Sequence, residues 1–268
     1  MNKIFGIAAI VSGLTMGVNG FLSSPALAQT VSISVSPMVT IQPIKGSQSR
    51  SSFSVTNSST IPIRTRIYAE DFDYDRSEGY TKTGNHPNSA SPYLQFSPKE
   101  LVIAPGVTRE VRVSVTIPPS QADKEYRVAV FTEDLTERAI TPGKTQVVTI
   151  IRPQIASIFY ISKGTLTPEL SAIGAIWDPK TKKPRLLLKN KGTASAYPDV
   201  EWKLRQGDKE IAGSRIFGVV LQADRERLSD INTFSETPLK PGQYTLAGEV
   251  DNKDGKKIPF SFSLTVPN

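Results

Sequence analysis

The chain has no cysteine, one histidine and two tryptophans in 268 residues. Without thiols, zinc fingers, iron–sulfur clusters, thiol redox chemistry and disulfide staples are all excluded, so any folded part must close on hydrophobic packing. The lone His86 lies in the turn-rich stretch Gly84 to Ser89 and reads as a loop residue with no nearby partner, a poor foundation for a histidine-dependent triad. Gly-x-Ser-x-Gly, Ser-x-x-Lys, His-Glu-x-x-His, phosphate-binding glycine loops and dinucleotide fingerprints are missing as well. No catalytic residue, cofactor or metal is therefore assigned. Only a two-carboxylate hydrolase stays open, and it would need a deep cleft with two facing acids. Amphipathic helical periodicity is also scarce: Pro119 to Lys124 and Gln222 to Leu228 read as short helical turns, and nothing longer appears.

One leader-like apolar run is present, Ile4 to Leu22, behind Lys3 and ahead of the small-x-small site Ala26-Leu27-Ala28. That arrangement predicts a signal peptide over residues 1–28, and the glycines at 6, 13, 17 and 20 favour a cleaved leader over a permanent anchor. The expectation is a periplasmic or otherwise extracytoplasmic protein with no integral membrane segment after cleavage. Removing the leader with its single lysine takes the formal charge from +7 to +6, 31 basic against 25 acidic residues. The bases are interleaved with acids, as in Arg225-Glu226-Arg227, which predicts a mixed solvated surface and no nucleic-acid groove.

Beyond the leader, apolar residues recur with period two, the spacing of half-buried strands. Val111, Val113, Val115 and Ile117 share one face, and similar alternation runs through Phe53–Val55, Ile63–Ala69, Tyr126–Val130, Val200–Leu204 and Ile258–Leu264. Turn signals separate them. The order also recurs: Asn57 and Asn190 each close a strand 133 residues apart, and the pairs Pro105-Gly106 and Pro241-Gly242 stand 136 apart. Strands at intervals of about 8 to 12 residues, repeated once, predict an all-β chain of two sandwich-sized modules. The boundaries are placed at 29–161 and 162–268.

Two segments stand out chemically. Glu70, Asp71, Asp73 and Asp75 alternate like the opening of a calcium loop, but Arg76 stands where glycine is needed and Lys82 where a bidentate acid belongs, so a solvated loop over Asp71 to Glu78 is expected. The second segment is an apolar ribbon, Gln146 to Arg152, continuing through Gln154 to Ile161. Val148 and Ile150 occupy one face and Val147 and Ile151 the other, so both faces need cover. Either the second module shelters the outer face, or the ribbon is an edge strand completed by a segment of another protein.

The first module resembles the N-terminal domain of the PapD-like periplasmic chaperones that assemble pili. The likeness is carried by Gly46 to Asn57, Phe96 to Gly106, Ile117-Pro-Pro119 leading to Glu125–Val130, and Ser157–Tyr160. It implies two immunoglobulin-like β-sandwich domains in tandem, a PapD-like one over 29–161 and a second over 162–268. It also implies a protein partner, a pilus subunit or other exported protein, held by β-strand complementation along Val147, Val148, Ile150 and Ile151. In that family a first-strand arginine and a late lysine clamp the partner's terminal carboxylate. Here residues 31–42 carry no basic side chain and Ser157 aligns with the lysine, leaving Arg152 or Arg66 as candidate carboxylate anchors. A non-catalytic adhesion or scaffold protein is the alternative, and self-association stays open.

Overall fold

The computed structural model describes residues 33–77, 79–136, 139–140, 149–150, 152–232 and 238–267. The signal-peptide reading of residues 1–28 lies outside them. The chain forms two β-sandwiches, all-β as the alternation requires. In the first, one sheet joins β1 (Ile33–Ser36), β3 (Gln48–Asn57), β8 (Thr108–Thr116) and β6 (Leu94–Ser97) in that order. The facing sheet runs β2 (Val39–Pro43), β12 (Gln154–Ser162), β9 (Glu125–Asp134), β4 (Ile63–Asp75) and β5 (Gly79–Thr83), with β7 (Glu100–Ile103) also pairing β4. Two short strands, β10 (Ala139–Ile140) and β11 (Thr149–Ile150), pair with each other. The second sandwich packs β13 (Leu170–Asp178), β14 (Lys183–Asn190) and β17 (Arg225–Asp230) against β16 (Lys209–Ile216), β15 (Asp199–Gln206), β18 (Gly242–Asp251) and β19 (Lys257–Val266). These strand orders are those of the immunoglobulin architecture.

Each sandwich has its own core. Phe53, Val55, Val111, Val113, Val115, Val128, Val130 and Phe159 interdigitate in the first; Leu186, Leu188, Trp202, Leu204, Leu246 and Val250 do so in the second. Full burial of each such side chain contributes about 1.5–3 kcal/mol, opposed by the entropy of ordering it. A third cluster lies between them: Phe72, Ala129, Ile158 and Tyr160, from the outer face of the first sandwich, meet Val220 of the second.

The repeated asparagines are structurally equivalent. Asn57 ends β3, donates from Nδ2 to the carbonyls of Ile61 (2.8 Å) and Ile103 (2.9 Å), and accepts from the Ser59 N–H at 2.9 Å. Asn190 ends β14, donates to the carbonyls of Ala194 (2.8 Å) and Leu221 (3.1 Å), and accepts from the Gly192 N–H at 2.9 Å. Both are fully buried, so each amide satisfies backbone groups that water cannot reach. Gly192 is required here by space: a Cβ would stand 2.3 Å from the Thr167 carbonyl oxygen. A second shared feature is a tyrosine near the start of the strand next to the last. Tyr126 Oη donates to the Ala122 carbonyl at 2.9 Å and Tyr244 Oη to that of Lys240 at 2.8 Å, the tyrosine corner of such sandwiches.

The structure corrects several expectations. The Pro-Gly pairs are not equivalent, because Pro105-Gly106 leads into β8 while Pro241-Gly242 leads into β18, the counterpart of β9; their similar offset is a coincidence of turn chemistry. Gln222 to Leu228 is no helical turn: the chain turns at Ala223-Asp224 and enters β17, whose pairing with β14 outweighs local preference. The acidic segment is not a loop either. It is the end of β4, paired with β5 from Asp71↔Thr83 to Asp75↔Gly79, because Phe72 and Tyr74 alternate with the acids and bury the opposite face.

Candidate functional site

β9 and β12 form a hairpin ladder from Glu125↔Ser162 to Glu133↔Gln154, and beyond it Ala139↔Ile150 and Ile140↔Thr149 continue the pairing. The opposite edge of β12 is covered only in part. β2 runs parallel to it from Val39↔Ile158 to Pro43↔Ser162, with the Ile158 N–H donating to the Met38 carbonyl at 2.8 Å. Upstream, the chain leaves for the other sheet as β1. Because backbone groups alternate sides along a strand, the N–H and C=O of Gln154 and Ala156 point the same way as those of Ile158. Among the described residues no strand pairs with that edge at 154–156, or with the far edge of β11.

The two faces of β12 differ from those of an ordinary sandwich strand. Phe159 and Ile161 point into the core; Ile158 and Tyr160 point outward and are buried as well, against Phe72 and Val220. Over 154–162, then, the doubly apolar ribbon is sheltered by the second sandwich at its C-terminal end. Toward the hairpin the outer face opens: Ala156 is half-buried beside Phe131, which stacks on Tyr68 at 5.5 Å. Of the residues expected to hold a partner, Ile150 is placed by its backbone pairing with Ala139, whereas Val147, Val148 and Ile151 lie outside the described residues. Arg66 reaches the same outer face, where its Nη2 meets Glu133 Oε2 at 2.5 Å and its guanidinium lies over Tyr68. Glu133 therefore already occupies one side of that fork. Arg152 follows β11, also in contact with other groups. Ser157, which the sequence resemblance aligns with a clamp lysine, donates its hydroxyl to the Pro37 carbonyl at 3.0 Å.

Where the sandwiches meet, a polar hub adjoins the apolar cluster. Arg127 is buried, donates from Nη2 to Asp73 Oδ1 at 2.7 Å and from Nε to the Phe72 carbonyl at 3.2 Å; Arg225 of the second sandwich donates to the other oxygen of Asp73 at 3.0 Å. His86 is not the partnerless loop residue expected. Its Nε2 lies 2.8 Å from Arg127 Nη2 and 3.5 Å from Asp73 Oδ2, and its Nδ1 lies 3.0 Å from the Asn88 N–H, two donors of which a neutral ring accepts from only one. Burial, then the charge of Arg127, lower its pKa, and Asp73 opposes them. Glu125 accepts both the N–H and the hydroxyl of Ser195 across the interface, each at 2.5 Å. Burial raises its pKa, and the Ser195 hydrogen bonds oppose that rise. No sequence pattern could have joined Asp73 to Arg225 or Glu125 to Ser195, since these pairs meet only by tertiary packing.

The acids of β4 are dispersed among separate partners: Glu70 pairs with Lys82, Asp71 accepts from Ser89 and Ser91, and Asp73 serves the hub. Among the described residues no group of three or more His, Cys, Asp or Glu side chains could hold a metal ion. A cleft of about 490 Å³ follows the connection between the sandwiches, lined by Ile41, Pro43, Leu166, Tyr197 and Lys253 among others. It contains no facing pair of acids.

No protein-family model matches the chain, and no curated protein does. Among solved structures it is similar to the protein described under a chaperone–tip adhesin complex of CFA/I fimbriae biogenesis, at 11% identity and a TM-score of 0.45 over 89% of this chain and 100% of that one. The YadV chaperone gives 13% and 0.45 over 87% and 100%. A structure of the CsuC–CsuE chaperone–tip adhesion subunit complex from Acinetobacter baumannii gives 13% and 0.45 over 88% and 100%. Likeness at this level leaves function to the geometry of the site.

Proposed function

We propose that this chain is an exported, chaperone-like protein that holds an incomplete partner protein by β-strand addition along the open edge of β11 and β12. The observation that carries the reading is that β2 pairs with β12 only from Val39↔Ile158, so that among the described residues no strand pairs with the β12 edge at Gln154 and Ala156, while the β10–β11 pair prolongs the hairpin beyond it. Exposed strand edges are ordinarily blunted or covered, and an uncovered one is a template for another chain. The partially open apolar patch beside it, Ala156, Phe131 and Tyr68, supplies contact for the incoming segment's outward side chains. The resemblance of the first module to the PapD-like chaperones supports a pilus subunit or another exported protein as the partner.

An edge-facing N–H can be removed without breaking the β9 ladder, so Ala156→Pro is the discriminating change. Capture of envelope partners by the wild-type chain is expected to be lost with Ala156→Pro, and with Val148→Asp combined with Ile150→Asp, while the thermal melt of Ala156→Pro stays within a few degrees of wild type. Equal capture by folded Ala156→Pro would remove the edge from the account and favour the adhesion or scaffold reading, in which this strand is only structural.

A further inference from the structure

Asp73 is a carboxylate on which cations of both sandwiches converge. Its Oδ1 accepts from Arg127 Nη2 at 2.7 Å, its Oδ2 accepts from Arg225 Nη2 of the second sandwich at 3.0 Å, and His86 Nε2 lies 3.5 Å from that second oxygen. The groups around His86 leave it little freedom. From β4, Asp71 Oδ2 accepts the His86 backbone N–H at 3.2 Å. From β9, Arg127 Nη2 stands 2.8 Å from Nε2, with Glu125 of β9 and Tyr160 of β12 close to Arg127 in turn. Lys124 ties down the same loop by donating to the Pro87 carbonyl at 2.6 Å. A neutral ring accepts from one of the two donors that face it, Arg127 or the Asn88 N–H; a protonated ring accepts from neither. Its new charge also becomes the third positive one on the single negative charge of Asp73.

Which of the three cations yields follows from how each is held. Arg127 is buried, donates from Nε to the Phe72 carbonyl at 3.2 Å and lies over the Phe72 ring. His86 is fixed through its own N–H on Asp71. Arg225 has a side chain 53% exposed, and among the described residues Asp73 is its only hydrogen-bond or ion-pair partner. Water can take over that guanidinium at little cost.

We propose that His86 is a proton-operated release for the contact between the two sandwiches: on protonation its Nε2 donates to Asp73 Oδ2, and Arg225 leaves that oxygen. Proton uptake and docking of Arg225 then oppose each other, and by linkage each weakens the other by the same factor. The direction agrees with the docked ring, whose pKa burial and the charge of Arg127 lower. A base with a lower pKa docked than apart takes up its proton on separation, so the contact is strongest above the ordinary histidine range and weakens as pH falls through it. Glu125 titrates in the opposite sense, since its raised pKa strengthens the contact as pH falls, and variants must separate the two.

The test uses the whole chain without its leader. His86 is the only histidine, so a single imidazole signal reports its titration by NMR. Arg225→Gln is expected to raise the proton affinity of His86 about fivefold. Arg215→Gln, which removes an exposed arginine paired with Glu201 elsewhere on the second sandwich, should leave it unchanged. Separation is read at the Leu228 amide, which bonds across the interface to the Arg76 carbonyl. The ratio of its hydrogen-exchange rates, wild type over His86→Gln at the same pH, is expected to rise about threefold from above the His86 titration to below it, and to rise equally when both chains carry Glu125→Gln. Equal proton affinity in wild type and Arg225→Gln, or an equal rise in Arg215→Gln, overturns the inference. So does a constant Leu228 ratio, or one that stays constant once Glu125→Gln is present. None of these readouts involves the β12 edge, so the release and the strand-addition reading stand or fall separately.

Discussion

The two sandwiches share their internal grammar and differ in their last strands. Both bury an asparagine at the end of the second long strand, and both anchor a tyrosine hydroxyl on the carbonyl four residues earlier. Yet β19 alternates cleanly between core and solvent, whereas β12 is buried on both faces from Ser157 to Ser162. The closing strand of the second sandwich completes a core; that of the first completes a core and also receives the second sandwich. What the shared features do is local and repeatable, because a buried amide or a tyrosine corner satisfies groups within one module. What β12 does depends on a neighbour: its outer face is closed by the second sandwich from Ser157 onward and half-open before it.

The largest effect expected from breaking the comparison is in the second core. Trp202→Ala should cost about 3–5 kcal/mol and unfold the second sandwich. Because β12 shelters there, protection of the Ile158 and Tyr160 amides against hydrogen exchange should fall with it, while Phe53 in the first core keeps its protection. Loss of protection throughout both cores would mean that the sandwiches fold as one unit.

Next come the asparagines. Asn57→Ala and Asn190→Ala each remove two side-chain hydrogen bonds to carbonyls and the acceptor of a turn N–H, and each should cost about 2–4 kcal/mol in denaturant titrations. Costs differing by more than about twofold would show that the two positions are alike in form but not in load.

A pH series sharpens the interface side of the comparison. The Glu125 carboxyl has its pKa raised in the folded chain, so its contribution to stability is full below the unfolded carboxylate pKa and declines as pH rises through the folded value. His86 works in the opposite sense: its pKa is lowered, so stability is lost as pH falls below the ordinary histidine range and the unfolded chain takes up a proton. Glu125→Gln, which keeps one acceptor for the Ser195 N–H and turns an amide donor to its hydroxyl, should therefore gain on wild type as pH rises from acid toward neutral, and His86→Gln should flatten the acid limb. Parallel melting curves for wild type and Glu125→Gln across that window would contradict the assignment. The smallest effect is that of the corners: Tyr126→Phe and Tyr244→Phe should each cost about 1 kcal/mol, measured by chemical denaturation.

Much of the fold was legible because period-two alternation is a local property: Val111, Val113, Val115 and Ile117 read inward from sequence, and all four are buried. The Asn57/Asn190 repeat was legible as the residue that ends each strand, but the bonds to Ile103 and Leu221, 46 and 31 residues away, are tertiary. The Pro-Gly repeat misled because such a pair marks a turn without saying which strand follows. The acid run misled because Asp71, Asp73 and Asp75 look solvated until Phe72 and Tyr74 are seen to bury the other side of the same strand. His86 could not be placed from sequence, as its partner Arg127 is 41 residues away on another strand. The candidate edge was only half legible: the ribbon's two-faced apolarity is in the residues, but which stretch of it is covered depends on where β2 departs.

The sequence by itself determined an all-β chain, the inward face of its alternating strands and the asparagine that ends β3 and β14, because these follow from side-chain alternation and local turn chemistry. Only the tertiary structure decided which outer face the second sandwich covers, which charges meet across the interface, and where along β12 the pairing with β2 begins. Those outcomes depend on contacts between residues far apart in the chain, and nothing in local spacing encodes how two closed sandwiches come to rest against each other.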